Sequence, residues 1–381
     1  MTRPTLAASE LEAALRNALA GEVLFDGYTR HLYSTDASMY AIEPIGVVFP
    51  RNADDVMATI QIAARHDAPV LPRGAGTGLC GQTVGHAVVM DFSRYMHEIV
   101  ALDAQSRTAR VQPGVVQDDL NRAAAAHDLF FAPDTSTSNR ATLGGMIGNN
   151  SCGARSARYG MTIDHVDTLD VVLSDGSCAT LARISTEDVP RLARGDSLEA
   201  RLYREIPQLI ADNLEVIRTG FPPHWRRSGG YRLDRMATDD GTLDLSRLVI
   251  GSEGTLAVVL EATVRLVPIP RAVVGLAGHF DSVDAALAAT DDALEADAAA
   301  IELIDQLILD LARRSPIHAQ RASTLTGDPG ALLWLEFYGD SVGEARASAE
   351  RLEAKWRAHG HGYALVRAET PLELQRFREL R

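Results

Sequence analysis

Cysteine is scarce in this 381-residue chain: Cys80, Cys152 and Cys178 are the full set. Their spacings match no zinc or iron–sulfur pattern and no disulfide framework, which points to a reducing compartment. Long apolar runs are missing too, which excludes a membrane span. The opening "MTRPTLAASELEAALRNAL" carries acidic residues and no apolar core of signal-peptide type, so it does not read as a secretion signal. Positive charge is in deficit, with a formal net charge of −14. That excludes nucleic acid as a partner, because phosphate backbones select basic surfaces. A bound nucleotide cofactor is not excluded, since one loop can hold it locally. Internal repeats and low-complexity tracts are also absent. What remains is an ordinary globular composition, 46% apolar and 23% charged. The length allows two or three domains and a core that needs no disulfides. We expect a cytoplasmic protein whose only membrane contact, at an inner membrane, would be peripheral.

Hydrophobic period and turn residues divide the chain. Residues 8–20 read as a short amphipathic helix, and a polar, irregular stretch runs from Arg30 to Pro44. A βαβ rhythm follows. "GVVFP" is a strand; "NADDVMATIQIAARHD" is a helix with Asn52 as N-cap and acids in its first turn. "APVLPRG" and "AVVMDF" are further strands. After about residue 97, "TARVQPG" is a strand that stops at Pro113-Gly114, and "VQDDLNRAAAAHD" is a helix. "VDTLDVVLSDGSCATL" forms a hairpin turning at Asp175-Gly176. Residues 185–245 are mainly helical around the loop "PPHWRRSGGYRLD". "LVIGSEGTLAVVLEATVRLVPIP" predicts two β runs about a Gly-rich turn, and Pro268 and Pro270 mark a domain boundary. Beyond them, the strands "AVVGLAGHF", "AAIELID", "ALLWLEFYG" and "GYALVRAE" alternate with helices. The pattern is α+β with crossovers of βαβ type.

The densest motif is "VLPRGAGTGLCGQTV", with glycines at 74, 76, 78 and 81. "GTGLCG" within it is formally the G-x-G-x-x-G dinucleotide fingerprint. That fingerprint needs a strand, the glycines, and then a helix whose N-terminus faces the pyrophosphate. The strand is present, but β-rich "QTVGHAVVMDF" stands where the helix belongs. The loop still suits phosphate, because successive glycines let backbone N–H groups point into one concavity. A second stretch, "PDTSTSNRATLGGMIGNNSCGARSARYG" (Pro133 to Gly160), combines glycines, hydroxyls and amides over a length that fits an extended polar ligand. "QPGV" and "IGSEGT" add further glycine turns at strand ends.

"PRGAGTGLCGQ", "PDTSTSNRATLGGMIGNNSCGARSARYG" and "VIGSEGTLAVVLEATVRLVP", in this order, resemble the FAD-binding domain of the vanillyl-alcohol oxidase / p-cresol methylhydroxylase (PCMH-type) flavoprotein superfamily. Within it the chain is most similar to the glycolate oxidase, D-lactate dehydrogenase and D-2-hydroxyglutarate dehydrogenase branch. "RHLYSTDASMYAIEPIGVVFP" and "RRSGGYRLD" resemble bacterial members that fuse the flavin module to an iron–sulfur region. The resemblance implies an α+β chain: a two-subdomain PCMH-type FAD-binding fold followed by a partial ferredoxin-like cap domain. Residues 1–42 would be a helical lead. Residues 43–270 would bind FAD, in subdomains of about 43–96 and 97–270 with a helical insertion at about 185–245. Residues 271–381 would be a partial, truncated substrate or cap domain. By resemblance, the first loop holds the pyrophosphate through Arg73, Gly74, Ala75, Gly76, Thr77, Gly78 and Gly81. The second lines the cofactor with Asp134, Ser136, Thr142, Gly144, Gly145, Gly148, Asn149, Asn150, Ser151 and Gly153. The "GSEG" turn supplies Gly251, Glu253 and Gly254. No histidine stands at the tethering position, His86 is unmarked, and Cys152 reads as a small packing residue, so the FAD would be non-covalent.

The activity implied is oxidation of a D-2-hydroxy acid, D-lactate or D-2-hydroxyglutarate, to the 2-oxo acid by hydride transfer to flavin. Electrons would leave to a cytochrome, a quinone or an attached iron–sulfur region. Two alternatives stay open: a glycolate-oxidase-type enzyme, and a flavin-binding electron-transfer module inactive without further C-terminal parts. The carboxylate needs a cation and the hydroxyl needs a base. No residue here is assigned as that base. Final "FRELR" resembles the start of the family's W-x-x-R element, with Arg378 in the tryptophan position and Arg381 as a carboxylate clamp or a solvated helix charge. Tyr231 could bond a substrate oxygen or satisfy its hydroxyl locally. Arg226 and Arg227 read as surface charge. "HGHG" at His359 and His361 reads as a solvated linker without partner ligands, so no metal site is expected within the chain, and metal or iron–sulfur binding would fall beyond residue 381.

Overall fold

A computed structural model describes residues 6–236 and 240–380. Local chemistry sets its first long helix. Asn52 Oδ1 accepts the Asp55 N–H at 3.0 Å, which starts the helix Ala53–Arg65 with Asp54 and Asp55 in its first turn. Asp55 is itself buried, and its two oxygens accept the N–H groups of Ala20 and Arg51, each at 2.8 Å. A buried carboxylate thus fastens the turn before one strand to the end of the next. The apolar face of that helix, with Val56, Ile60 and Ile62, packs with Leu11 and Leu15 of the helix Leu6–Ala18.

The chain divides into two units, Met1–Cys152 with Met161–Val267, and Gly153–Gly160 with Pro268–Arg381. In the first unit a four-stranded sheet has the order β1 (Glu22–Leu24), β2 (Gly46–Phe49), β4 (Val88–Asp91), β3 (Val70–Arg73). β1 is antiparallel to β2, while β2, β4 and β3 run parallel. A second sheet is antiparallel throughout, built from β5 (Ile99–Asp103), β6 (Thr108–Val111), β7 (Val166–Leu173), β8 (Cys178–Ser185), β9 (Thr242–Asp244) and β10 (Ala257–Arg265). Its spatial order is β9-β8-β7-β10-β6-β5. The hairpin at Asp175-Gly176 forms as its turn chemistry predicts, with Gly176 at φ +81°. Helices Leu198–Asp212 and Leu214–Gly220 cover residues between β8 and β9.

The expected strand "LVI" before the "GSEG" turn is a helical turn instead, Ser246–Val249. Asp244 explains the difference. Its carboxylate accepts the Ser246 N–H and hydroxyl and the Arg247 guanidinium, which nucleates a turn that three apolar residues cannot override.

The second unit is a four-stranded antiparallel sheet of β11 (Ala272–Phe280), β12 (Ala300–Asp305), β13 (Ala331–Gly339) and β14 (Ala364–Ala368), in the order β12-β13-β11-β14. This is the strand order of a split βαβ, or ferredoxin-like, sheet. Its crossovers join non-neighbouring strands, so adjacent strands run antiparallel. The helix expected over "SVDAALAATDDALEA" is two helices, Val283–Ala288 and Thr290–Glu295. They part where the Ala289 carbonyl accepts the Trp356 Nε1–H at 3.0 Å. Among the described residues, no helix is long and apolar enough to cross a membrane.

Candidate functional site

Three glycine-bearing segments of the first unit meet on the short helix α1 (Leu143–Asn149). Close approach is the reason for its glycines. A methyl group on Gly74 would lie 2.4 Å from Thr142 Oγ1 and 3.2 Å from Gly145 Cα. One on Gly144 would lie 2.6 Å from Pro113 Cβ. The first loop and the "QPGV" turn therefore rest directly on the start of α1. At its other end Asn150 takes φ +48°, and the "GSEG" turn bonds to the last carbonyls. Gly251 N–H donates to Ile147 and Glu253 N–H to Gly148, both at 2.9 Å. A methyl on Gly254 would be 2.6 Å from Pro72 Cγ, so the turn also closes on β3.

A cavity of about 420 Å³ lies among these segments, within the range of small-molecule and cofactor clefts. Its wall includes Arg73, Gly74, Ala75, Gly76, Thr77 and Gly78 of the first loop. From the second stretch it takes Ser136, Thr142, Gly144, Gly145, Gly148, Asn149, Asn150 and Ser151, and from the "GSEG" turn Glu253 and Gly254. A second cavity of about 520 Å³ shares Arg73, Gly74, Ala75 and Thr142 and adds His97, Asn139 and Arg140.

The polar inventory separates two kinds of backbone donor. The start of α1 is already satisfied: Leu143 N–H donates to Val115 and Gly144 N–H to Pro113, both at 2.8 Å, and Met146 N–H to Thr142 at 2.9 Å. Its N-terminus has little left to offer an anion. Among the described residues, the N–H groups of Ala75, Gly76, Thr77, Gly78 and Leu79 have no protein partner. Five successive unpartnered donors on a cavity wall are the groups from which an anion nest for a diphosphate is built. The hydroxyls of Thr77, Ser136 and Thr137 are likewise unpartnered there. An extended nucleotide fits this chemistry.

Residues 44–182 match the family described as "FAD binding domain", and residues 269–381 match "FAD linked oxidases, C-terminal domain". The chain belongs to the PCMH-type FAD-binding flavoproteins. It is 35% identical over 355 residues to the D-2-hydroxyglutarate dehydrogenase of Pantoea ananatis, a match covering 91% of this chain and 34% of that protein. It is 34% identical over 282 residues to glycolate oxidase subunit GlcD of Bacillus subtilis, covering 73% of this chain and 49% of that one. The chain thus spans about a third of the length of the D-2-hydroxyglutarate dehydrogenase it matches. An alkyldihydroxyacetonephosphate synthase structure superimposes with a TM-score of 0.66 at 18% identity, over 100% of this chain and 64% of that one; this likeness is one of fold.

Several residues of the flavoprotein take roles that spacing alone does not reveal. Arg73 lines the cavity and also braces the loop. Its guanidinium donates to the carbonyls of Tyr33 at 3.3 Å, Thr83 at 3.0 Å and Thr35 at 2.9 Å, so it ties down both ends of the glycine loop. Gln82, which the motif reading passed over, holds the loop to α1 through Asn149 Oδ1 at 3.1 Å, and Asn149 reaches Ser151 Oγ at 3.2 Å. Asn150 is buried, with its amide engaged to Ile163 N–H at 2.9 Å and the Arg227 carbonyl at 3.4 Å. Gly81, Asp134 and Gly251 do not line the cavity. Gly81 turns at φ +80° against the Tyr40 ring instead. Gly153 belongs to the second unit, where its N–H donates to Ser156 Oγ at 3.0 Å.

Arg227 is not simple surface charge. It pairs with Asp234 at 2.7 Å, beside the fully buried Arg232, which grips the same carboxylate at 2.9 and 3.0 Å. Burial pushes the Asp234 carboxyl upward, yet Arg232 and Arg227 hold it below its ordinary range. Tyr231 does not line the cavity, and its phenol is bonded to Thr255 Oγ1 at 2.9 Å. Arg381 lies outside the described residues. Arg378 pairs with buried Glu336, Nη2 to Oε2 at 2.8 Å. His359 and His361 are not a bare linker. Asp292 faces both, a partner that sequence spacing cannot show because it lies on a separate helix.

Proposed function

We propose that this chain is the flavin-holding and cap portion of an FAD-dependent dehydrogenase of D-2-hydroxy acids, with D-2-hydroxyglutarate or D-lactate oxidised to the 2-oxo acid. Residues 43–270 hold the cofactor in this reading, and 271–381 form the substrate-facing part. The row of free N–H groups from Ala75 to Leu79 carries it, because that row gives a diphosphate its seat. Thr77 and Ser136 add hydroxyls beside that seat. Asn149, Ser151 and Glu253 line the remaining wall. Arg73 sets a cation beside that seat while it braces the loop, and Gln82 holds the loop to α1. FAD, when bound, supplies the acceptor for the hydride taken from the substrate α-carbon. Electrons then leave to a cytochrome, a quinone or an iron–sulfur region.

Anaerobic mixing of the FAD-loaded protein with a panel of D- and L-2-hydroxy acids tests the assignment, with flavin bleaching as the readout. Bleaching by D-2-hydroxyglutarate or D-lactate and not by their L-isomers is the expected result. Bleaching by L-lactate alone overturns the stereochemistry. The similarity to a GlcD subunit favours one second reading, a glycolate oxidase. Glycolate-driven oxygen consumption distinguishes it. Firm FAD binding without bleaching by any acid would instead mark an electron-transfer module.

A further inference from the structure

The second unit holds a donor cluster that the flavin chemistry does not use. His359 is the last residue of the helix Val342–His359, and Gly360 ends that helix at φ +73°. The chain then folds back, with His361 N–H donating to the Trp356 carbonyl at 2.8 Å and Gly362 at φ +69°. This turn sets the two imidazoles with centroids 5.9 Å apart and planes at 85°. Asp292 arrives from the helix Thr290–Glu295. Trp356, wholly buried, pins the segment just before that helix through Ala289 at 3.0 Å. Both sides of the cluster are thus anchored to packed structure. Asp292 Oδ2 lies 2.8 Å from His359 Nδ1 and 3.9 Å from His361 Nε2. All three donor atoms lie within 4.8 Å of one another.

We infer that Asp292, His359 and His361 bind one divalent transition-metal ion of the zinc, cobalt or nickel class, clipping the end of one helix to another. Donors about 2.1 Å from a tetrahedral ion stand roughly 3.4 Å apart, and the two separations from Asp292 bracket that value. Two imidazoles and one carboxylate suit these ions, whereas magnesium and calcium need oxygen-rich shells. Lys355 Nζ holds the other carboxylate oxygen, Oδ1, at 3.0 Å, which leaves Oδ2 facing the imidazoles. Glu295, 2.5 Å from Lys355, offsets the ammonium charge. Such outer partners commonly orient metal ligands. The side chain of His359 is half exposed, so water can complete the shell.

Tag-free protein, stripped with a chelator and titrated with Co²⁺, tests the site. The expected result is one tight equivalent with the visible absorption of a four- or five-coordinate cobalt ion, displaced by Zn²⁺. Asp292→Asn and the pair His359→Ala/His361→Ala should weaken that binding at least about tenfold. His359→Gln, at an exposed position, serves as the variant least able to disturb folding. Circular dichroism and FAD titration report folding in each variant and should match the parent. Cobalt affinity that none of these variants changes, or the lack of any cobalt spectrum, overturns the site and leaves a histidine–aspartate ion pair. The flavin reading is untouched by either outcome.

Discussion

At Gly74 one methyl group decides whether the glycine loop can lie on α1. An alanine there would bring Cβ to 2.4 Å from Thr142 Oγ1, so the loop carrying the free donors must shift. Overpacking of this kind costs about 1–3 kcal/mol, so Gly74→Ala should weaken FAD binding roughly tenfold to a hundredfold. The secondary structure should stay intact by circular dichroism. Adding Thr142→Ala removes the colliding oxygen and should recover part of the affinity. Fluorescence titration of FAD measures both; equal affinity for Gly74→Ala and the parent would sink the assignment. A different residue tests the frame around the cavity. Arg232 is 1% exposed and shares Asp234 with Arg227. Arg232→Met leaves Asp234 with Arg227 alone and removes three hydrogen bonds made by the buried guanidinium, so it should destabilise the protein by about 1–3 kcal/mol. Urea denaturation reads that loss directly.

Among the elements, β11 carries a test of pH dependence. His279 is fully buried, with Nδ1 3.3 Å from the Ala364 carbonyl and Nε2 accepting the Thr326 N–H at 3.1 Å. Only a neutral imidazole donates at one nitrogen and accepts at the other. Burial lowers its pKa from the ordinary 6.5. Below that value the unfolded chain binds a proton that the folded chain resists. Stability is therefore lost as pH falls from 6.5 toward the folded-state pKa. Melting of the second unit should shift downward between pH 7.5 and pH 5.5, and His279→Gln should flatten that slope. A slope unchanged in the variant would assign it to other groups. Elements also show what spacing can reveal. The helix at Asn52, the hairpin at Gly176 and the four strands after Pro270 were legible, because caps, turns and hydrophobic period are local signals. The helical turn at Ser246 was not, since it depends on how Asp244 is satisfied. In the candidate site, glycine density pointed to the loop. That Arg73 braces the loop, that α1 keeps its own donors satisfied, and that Asp292 meets two histidines all depend on pairings distant in sequence.

On the scale of the whole molecule, the cofactor has to act through linkage. On the seat proposed at residues 75–79, FAD would bind the folded first unit and not the unfolded chain. At a hundredfold excess over Kd it should add about 2.7 kcal/mol to that unit's stability. Calorimetry should show an unfolding transition that rises with FAD concentration. The nature of the attachment is testable in the same sample. His86 lies outside the first cavity, its Nδ1 3.2 Å from the Glu43 carbonyl, whereas Cys152 lines that cavity and packs against the core. With backbone donors as the grip, acid precipitation should release the yellow colour into the supernatant. Cys152→Ala should bind FAD as the parent does. A yellow pellet that turns colourless in Cys152→Ala would identify a thioether tether. It would also show that the glycine loop alone does not retain the cofactor.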